Sequence, residues 1–266
     1  MDFIHALGGT SNMACRLLLL GLAVFVWLGG NAYANADVTQ LEANVAATRK
    51  AAAKEGWQGS VSLGYLATTG NTNTRSLNGQ MLAGYKSGPW QDLLSFQALK
   101  SSQDGITTAE NYELNGQTDY NFTENNYLFG LLDYLRDIFS GYQRRTSEIL
   151  GYGRRLYATD TQQLDLEFGA GARQTRNTND TSDNGVVEML GAKYLWKFTD
   201  KSNFSENLSV VHGTDSTFTQ TVTALTTNLA GDFALSLSYT VKHNSSVPPG
   251  FKKSDTITAV SLVYTF

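Results

Sequence analysis

Cysteine, proline and histidine are nearly missing from this 266-residue chain: one Cys, three Pro and three His. The one cysteine, Cys15, stands ahead of an apolar stretch, so no disulfide framework supports the fold. A lipid-anchoring cysteine would follow that stretch rather than precede it. Pro89, Pro248 and Pro249 all fall in turn-like contexts, which leaves the rest of the backbone free to pair, as a protein made of hydrogen-bonded strands requires. Basic residues do not gather: the formal charge is −4, without the concentrated basic face of a nucleic-acid binder. Nothing in the residue pattern calls for a cofactor.

What is present begins with a leader. Arg16, the apolar stretch from Leu17 to Gly30 and the small-residue exit Ala34-Asn35-Ala36 form the basic start, apolar middle and cleavage site of a secretory signal peptide over residues 1–36. The stretch is too short to span a membrane comfortably. Met13 serves equally well as initiator, because the residues before it add nothing to the signal. Export followed by cleavage leaves a chain that begins at Asp37, keeps the −4 charge and contains no cysteine. Residues 37–56, Ala-rich with Glu42, Arg49, Lys50 and Lys54, read as a short helix or flexible periplasmic segment, or equally as a solvated linker.

From Trp57 the texture changes to alternation. Twelve strands are expected, at 57–70, 73–86, 90–102, 108–122, 126–138, 144–157, 161–176, 185–198, 203–213, 218–230, 233–246 and 251–266. In the fourth, Tyr112, Leu114, Gly116, Thr118, Tyr120 and Phe122 oppose Glu113, Asn115, Gln117, Asp119 and Asn121. In the seventh, Leu164, Leu166 and Phe168 oppose Asp165 and Glu167; the eleventh sets Phe233, Leu235, Leu237, Tyr239 and Val241 against Ser236, Ser238, Thr240 and Lys242. The last strand carries Val260, Leu262, Tyr264 and Phe266 on one face, the aromatic-ended close of an outer-membrane barrel that the assembly machinery of that class engages. A soluble sandwich shows the same alternation, with its polar faces in bulk water and its apolar faces in a core.

The connections separate the two architectures. Those at 86–89, 123–125, 158–160, 199–202 and 231–232 are tight. Those near 70–73, 103–107, 139–143, 177–184, 214–217 and 246–250 are mostly longer and richer in Asn, Asp, Ser and Gly. That is the asymmetry of periplasmic turns and outside loops. With the first strand rising from the periplasm, Trp57, Trp90, Phe122, Tyr127, Trp196, Phe198, Phe204, Phe233 and Phe266 gather at the inner rim, an interfacial aromatic girdle in contact with outer-membrane lipid. Only a closed sheet leaves no unpaired edge in lipid. The expected fold class is therefore all-β, a transmembrane antiparallel up-and-down β-barrel over 57–266. Both termini are periplasmic, and 177–184 and 246–253 lie outside.

Gly64-Tyr65 with Thr69-Gly70-Asn71-Thr72, Gly84-Tyr85-Lys86, Tyr127-Leu128-Phe129-Gly130, Arg136-Asp137 with Phe139-Ser140-Gly141-Tyr142, and Gly151-Tyr152-Gly153-Arg154 resemble the salt-induced outer-membrane proteins of the YdiY type, domain-of-unknown-function family 481. The resemblance covers about 57–266 and is most specific over 127–155. It implies an outer-membrane barrel of a Gram-negative envelope, with osmotic conditions in the family label, and supplies no catalytic set. Close strand packing and girdle placement account equally for the Gly-Tyr patterns.

Two further chemistries are only partly supplied by the residues. His212 with Asp215 and Ser216, and His243 with Asn244, Ser245 and Ser246, supply the residue types of a triad, yet Ser and Asp abound in such loops. Asp180-Thr181-Ser182-Asp183-Asn184-Gly185 opens like a calcium loop, but Gly191 stands at the twelfth position where a bidentate carboxylate belongs, and Glu188 would need another geometry. Neither an enzyme nor a metal site is expected.

The lumen is the candidate site. Glu113, Asp119, Asp133, Asp137, Asp165, Glu167 and Arg173 are expected to point inward, together with one of Arg154 and Arg155. Neighbouring strands let these charges pair on one wall, either filling the lumen with salt bridges or forming a charged constriction. Asp165 and Glu167, two apart, stack on the wall, favour cations and are partly offset by an arginine of 154–155. The expected function is passive passage or binding of small hydrophilic solutes or ions. A closed structural or surface-interaction barrel is the alternative, and an outer-membrane hydrolase ranks third.

Overall fold

A computed structural model describes residues 55–69, 74–103, 106–214, 216–247 and 251–266. The expected signal peptide, residues 37–54, Asp215 and the Gly70-Asn71-Thr72 motif lie outside the described residues. Alternation of polar and apolar residues produces twelve strands: β1 (Gly56–Thr69), β2 (Thr74–Ser87), β3 (Trp90–Gln103), β4 (Ile106–Asn121), β5 (Asn126–Asp137), β6 (Tyr142–Ala158), β7 (Gln162–Asn177), β8 (Ser182–Lys197), β9 (Ser202–Gly213), β10 (Thr217–Ala230), β11 (Phe233–Asn244) and β12 (Ser254–Thr265). Each pairs antiparallel with its sequence neighbours, and β1 pairs with β12 from Ser60↔Thr265 to Thr69↔Thr256, so the sheet closes into a barrel. With 12 to 17 residues in the strands β5 to β12, each exceeds the roughly 9–11 that cross a bilayer at a tilt.

The period of two decides which side chains point inward. On β4, Glu113, Asn115 and Gln117 are buried while Leu114 and Tyr120 are exposed; on β12, Ser261 and Val263 are buried while Val260, Leu262 and Tyr264 are exposed. Ser60, Ser62, Gln80, Ser95, Gln97, Ser205, Asn207, Ser209, Gln220, Ser236 and Thr240 line the interior, and Leu63, Met81, Leu150, Phe168, Leu190 and Leu237 cover the exterior. Polar inside and apolar outside inverts the pattern of a protein folded in water, and it is the arrangement a bilayer demands.

Aromatic rings collect on the exterior at one end. Trp57 meets Tyr85 with centroids 4.9 Å apart, Trp90 meets Tyr120 at 4.9 Å, Phe122 meets Tyr152 at 6.4 Å, Trp196 meets Phe198 at 5.7 Å and Phe233 meets Tyr264 at 5.0 Å. Phe204 joins through Tyr194 at 6.5 Å and Phe266 through Tyr264 at 6.3 Å. Tyr127 corrects the expectation. It stands at an inward position of β5 and is 1% exposed, so it belongs to the lumen.

Connection lengths correct a second expectation. Residues 178–181 and 214–216 are as short as 159–161 and 198–201 at the girdled end; 245–253 is the long one. β8 begins at Ser182 rather than 185, because Asp183 and Asn184 continue the ladder opposite Thr175 and Gln174. A strand that rises above the apolar layer meets water on both faces and carries no hydropathy alternation to reveal it. At the girdled end, 88–89 and 231–232 turn the chain on glycines with φ 57° and 55°, where a side chain would be strained.

The terminal aromatic completes the closure. Gly59 N–H donates to Phe266 O at 3.0 Å and Phe266 N–H to Gly59 O at 2.9 Å. The Phe266 ring covers Gly59, where an added Cβ would lie 2.6 Å from Phe266 Cζ. Deleting Phe266 removes the last pair of bonds on the β1–β12 seam together with this ring contact, and is expected to reduce the heat-modifiable, folded fraction on a gel. An unchanged folded fraction would show that the seam closes without it.

Candidate functional site

The inward side chains form two polar groups separated by an apolar one. Nearer the girdled end, Glu167 of β7 is the centre. Its Oε1 accepts from Lys193 Nζ of β8 at 2.8 Å, from Tyr127 Oη of β5 at 2.7 Å and from Gln117 Nε2 of β4 at 3.3 Å. Lys193 Nζ also reaches Gln117 Oε1 at 3.4 Å, so the group ties β4 to β8 across the corner of the lumen. Gln117 donates to Asp119 at 2.8 Å, and Gln163 donates to both oxygens of Asp165 at 3.0 and 2.8 Å. Glu167 and Lys193 are almost wholly enclosed, which makes this a buried ion pair stabilised by neutral donors.

Asp165 and Glu167 do stack on one wall, both buried. Two cations flank them: Lys193 of β8, in register with Asp165 and bonded to Glu167, and Arg155 of β6, in register with Asp165 from the other side. Arg154 is corrected outright: it is exposed and stands opposite the outward-facing Leu166. Arg155 turns inward, donating to Asn121 Oδ1 and to Glu124 O at 2.8 Å each, with its guanidinium 5.3 Å from the Tyr127 ring centre.

The apolar group contains Tyr127, Phe129, Leu131, Ile149, Val187, Met189 and Val211. It exists because β6 and β7 carry glycine where it packs. A Cβ on Gly153 would strike the Tyr127 ring, one on Gly151 the Phe129 ring, and one on Gly169 would come within 2.8 Å of Ile149 Cγ2. The two rings lie flat on a groove that lacks side chains. The Tyr-x-Phe spacing of 127–129 and the Gly-x-Gly spacing of 151–153 are thus two halves of one contact inside the barrel.

Toward the far end, carboxylates and guanidiniums occupy neighbouring strands, β4 and β5 against β6 and β7. Glu113 on β4 and Asp133 and Asp137 on β5 face Arg145 on β6 and Arg173 on β7, and Asp133 lies in the field of both arginines. Asp133 accepts from Asn115 Nδ2 at 3.3 Å and Asp137 from Asn111 Nδ2 at 3.0 Å. Arg173 reaches the Val211 carbonyl at 3.5 Å, whereas Arg145 lies over the Tyr142 ring, 3.8 Å from its centre, and 5.5 Å from that of Phe218. Asn244 of β11 donates to Tyr142 Oη at 2.7 Å, joining β11 to β6. A cavity of about 220 Å³ opens here, lined by Tyr142, Arg145, Arg173, Thr175, Asn177 and Asn244 among others.

No motif in the sequence marks Arg145 or Lys193, and Gln117, Tyr142 and Asn244 stand out there for strand face, family motif and triad chemistry rather than for these contacts. Parity places four of them inward, as Arg145 shares a face with Ser147 and Lys193 with Met189 and Leu195, whereas Tyr142 has the parity of the outward Leu150 and is turned inward by the register shift between Tyr142 and Arg144. Parity does not say which of the many inward polar groups meet.

The remaining candidates are engaged elsewhere. His212 pairs with Thr217 and His243 with Ser254, each at 2.8 Å across its own hairpin. Asp180, with φ 62°, bonds Arg176 at 2.9 Å, and that guanidinium holds its carboxyl below the usual carboxylate range. Ser182 to Gly185 of the calcium-like loop belong to β8. Among the described residues no three His, Cys, Asp or Glu side chains converge as metal ligands would.

A closed up-and-down barrel of twelve strands, largely polar within, apolar without and girdled at one end, defines the class of transmembrane β-barrels. The fold is similar to the NanC porin (TM-score 0.55, 8% identity, 77% of this chain and 98% of that one). It is also similar to the translocator domain of the autotransporter NalP from Neisseria meningitidis (TM-score 0.51, 14% identity, 87% and 98%). These likenesses concern architecture. Residues 61–266 match the family described as protein of unknown function, DUF481. Over 215 residues the chain is 30% identical to the uncharacterized protein YdiY of Escherichia coli, covering 80% of this chain and 85% of that one. The chain belongs to the DUF481 family.

Proposed function

We propose that this protein resides in the outer membrane of a Gram-negative bacterium and gives small hydrophilic solutes or ions passive passage or binding within its lumen. The girdled end is periplasmic, and 178–181 and 245–253 face outward. Outer-membrane lipid surrounds the apolar exterior, and the β12 pattern of Val260, Leu262, Tyr264 and Phe266 is engaged by the barrel-assembly machinery during insertion. A response to salt or osmotic conditions fits such a role. The single observation carrying the reading is the polar lining, serines, glutamines and asparagines on strand after strand on either side of the apolar group, with a polar cavity at the far end.

A second reading, a closed barrel of structural or surface-interaction type, is favoured by one observation: the apolar group around Phe129 and Met189, with the bonds from Lys193 to Gln117 and from Asn244 to Tyr142, crosses the interior. Planar-bilayer recordings separate the two. Wild-type protein is expected to give discrete conductance steps, and replacing Asp165 by Asn with Glu167 by Gln to lower its preference for cations, most at low salt, where screening is weak. A folded wild-type protein that never conducts would establish the closed barrel.

A further inference from the structure

We propose that the far end of the lumen holds a binding site for a small solute bearing an oxyanion, a carboxylate or a phosphate, with Arg145 and Arg173 as the groups that take the charge. The proposal deepens the solute-binding reading above and rests on it.

The two arginines come from adjacent strands and are 3% and 6% exposed, yet both line the cavity. A buried guanidinium normally carries its own carboxylate partner, because an uncompensated buried charge is costly. Among the described residues, neither has one. Arg145 makes ring contacts only, Arg173 makes one long bond to a carbonyl, and the Nε–H of each is left without an acceptor. Asp133 and Asp137, on the strand next to that of Arg145, act on it through their field, while they accept hydrogen bonds from Asn115 and Asn111 of β4. The unmade donors therefore point to a group that is not part of the chain.

Guanidinium matches a two-oxygen anion with parallel N–H bonds, which is the geometry of carboxylate and phosphate. The rest of the lining suits a hydroxylated body: Tyr142, Thr175, Asn177 and Asn244 offer neutral donors and acceptors. Asp183, the acid in that lining, is held by Asn177 at 3.1 Å. Next to it lies a smaller recess whose charged groups are Arg145, Lys242, Lys252 and Lys253 against Asp137 and Asp255, so the approach from the 245–253 connection is net basic. About 220 Å³ holds roughly seven waters, the room of a small solute and not of an oligomer.

The test is calorimetric titration of the full-length, heat-modifiable protein in detergent with glucuronate, inorganic phosphate and, as neutral control, glucose. Binding of at least one anion but not of glucose is expected, weakening as salt rises. Glucuronate alone would assign a carboxylate solute, and phosphate alone a phosphorylated one. Arg145→Gln and Arg173→Gln should each weaken binding roughly tenfold or more. Arg145→Lys and Arg173→Lys, which keep the charge in the fold, should lose less. Arg154→Gln, on the exterior, should change nothing. The proposal is overturned if neither anion binds, if glucose binds as well as glucuronate, or if the Gln variants bind like wild type. Binding by a protein that does not conduct would keep the site and reject the channel; conduction without anion binding would reject the site and keep the channel.

Discussion

Replacing Lys193 by Met is expected to destabilise the barrel by about 3–5 kcal/mol, the usual consequence of leaving one member of a buried ion pair alone. The magnitude follows from geometry. Glu167 and Lys193 meet at 2.8 Å with both side chains almost fully enclosed, and two further donors, Tyr127 and Gln117, converge on the same carboxylate oxygen. Without the ammonium, the carboxylate keeps its desolvation cost and loses its strongest partner. Replacing Lys193 by Met and Glu167 by Gln together removes both charges, leaves Tyr127 and Gln117 a neutral acceptor, and should recover most of the loss. Urea titrations of protein refolded into lipid vesicles, followed by tryptophan fluorescence, measure both variants. A Lys193→Met protein within about 1 kcal/mol of wild type would mean that water reaches the pair and that its burial contributes little.

The second large effect is expected at the glycine groove. A methyl group at 153 collides with the Tyr127 ring, and one at 151 collides with the Phe129 ring while sitting 2.5 Å from the Phe168 carbonyl oxygen, which is backbone and cannot step aside. Gly153→Ala must therefore lift Tyr127 off the wall, and with it the 2.7 Å bond to Glu167. Overpacking costs about 1–3 kcal/mol and a lost hydrogen bond to a charged group about 1.5–3 kcal/mol more. The same titration checks the sum. Tyr127→Ala in the Gly153→Ala background opens the space that the new methyl needs, so the two changes should be strongly non-additive. Additive losses would show that ring and glycine do not share the contact.

These two sites also show how far residue pattern reaches. The block from Tyr127 to Arg155 carries the most specific part of the family resemblance, and in three dimensions it is a packed contact: Tyr127 and Phe129 on β5 against Gly151 and Gly153 on β6, paired in register at Tyr127↔Gly153 and Phe129↔Gly151. An aromatic near the end of a strand reads as girdle from sequence, because depth along the strand is visible there and the glycines on the next strand are not yet its neighbours. Trp57, Trp90, Phe122 and Trp196 lie on the exterior because their parity agrees with their depth; Tyr127 has the depth and the opposite parity. Arg154 and Arg155 pose the same question one residue apart, and the β-bulge between Arg155 and Tyr157 shifts the register beyond them.

By itself the sequence determined the strand count, the closure of the sheet and, on the strands that alternate cleanly, which face meets lipid. All of these follow from local alternation, turn chemistry and the rule that no backbone edge survives in a bilayer. Only the tertiary structure decided which inward groups meet: Glu167 with Lys193, Tyr142 with Asn244, and Arg145 beside Arg173 without a carboxylate in bonding reach. The reason is geometric. Contacts inside a barrel depend on shear, tilt and curvature, which set how far each strand slides past the next. Those are properties of the closed sheet as a whole, and no single strand encodes them.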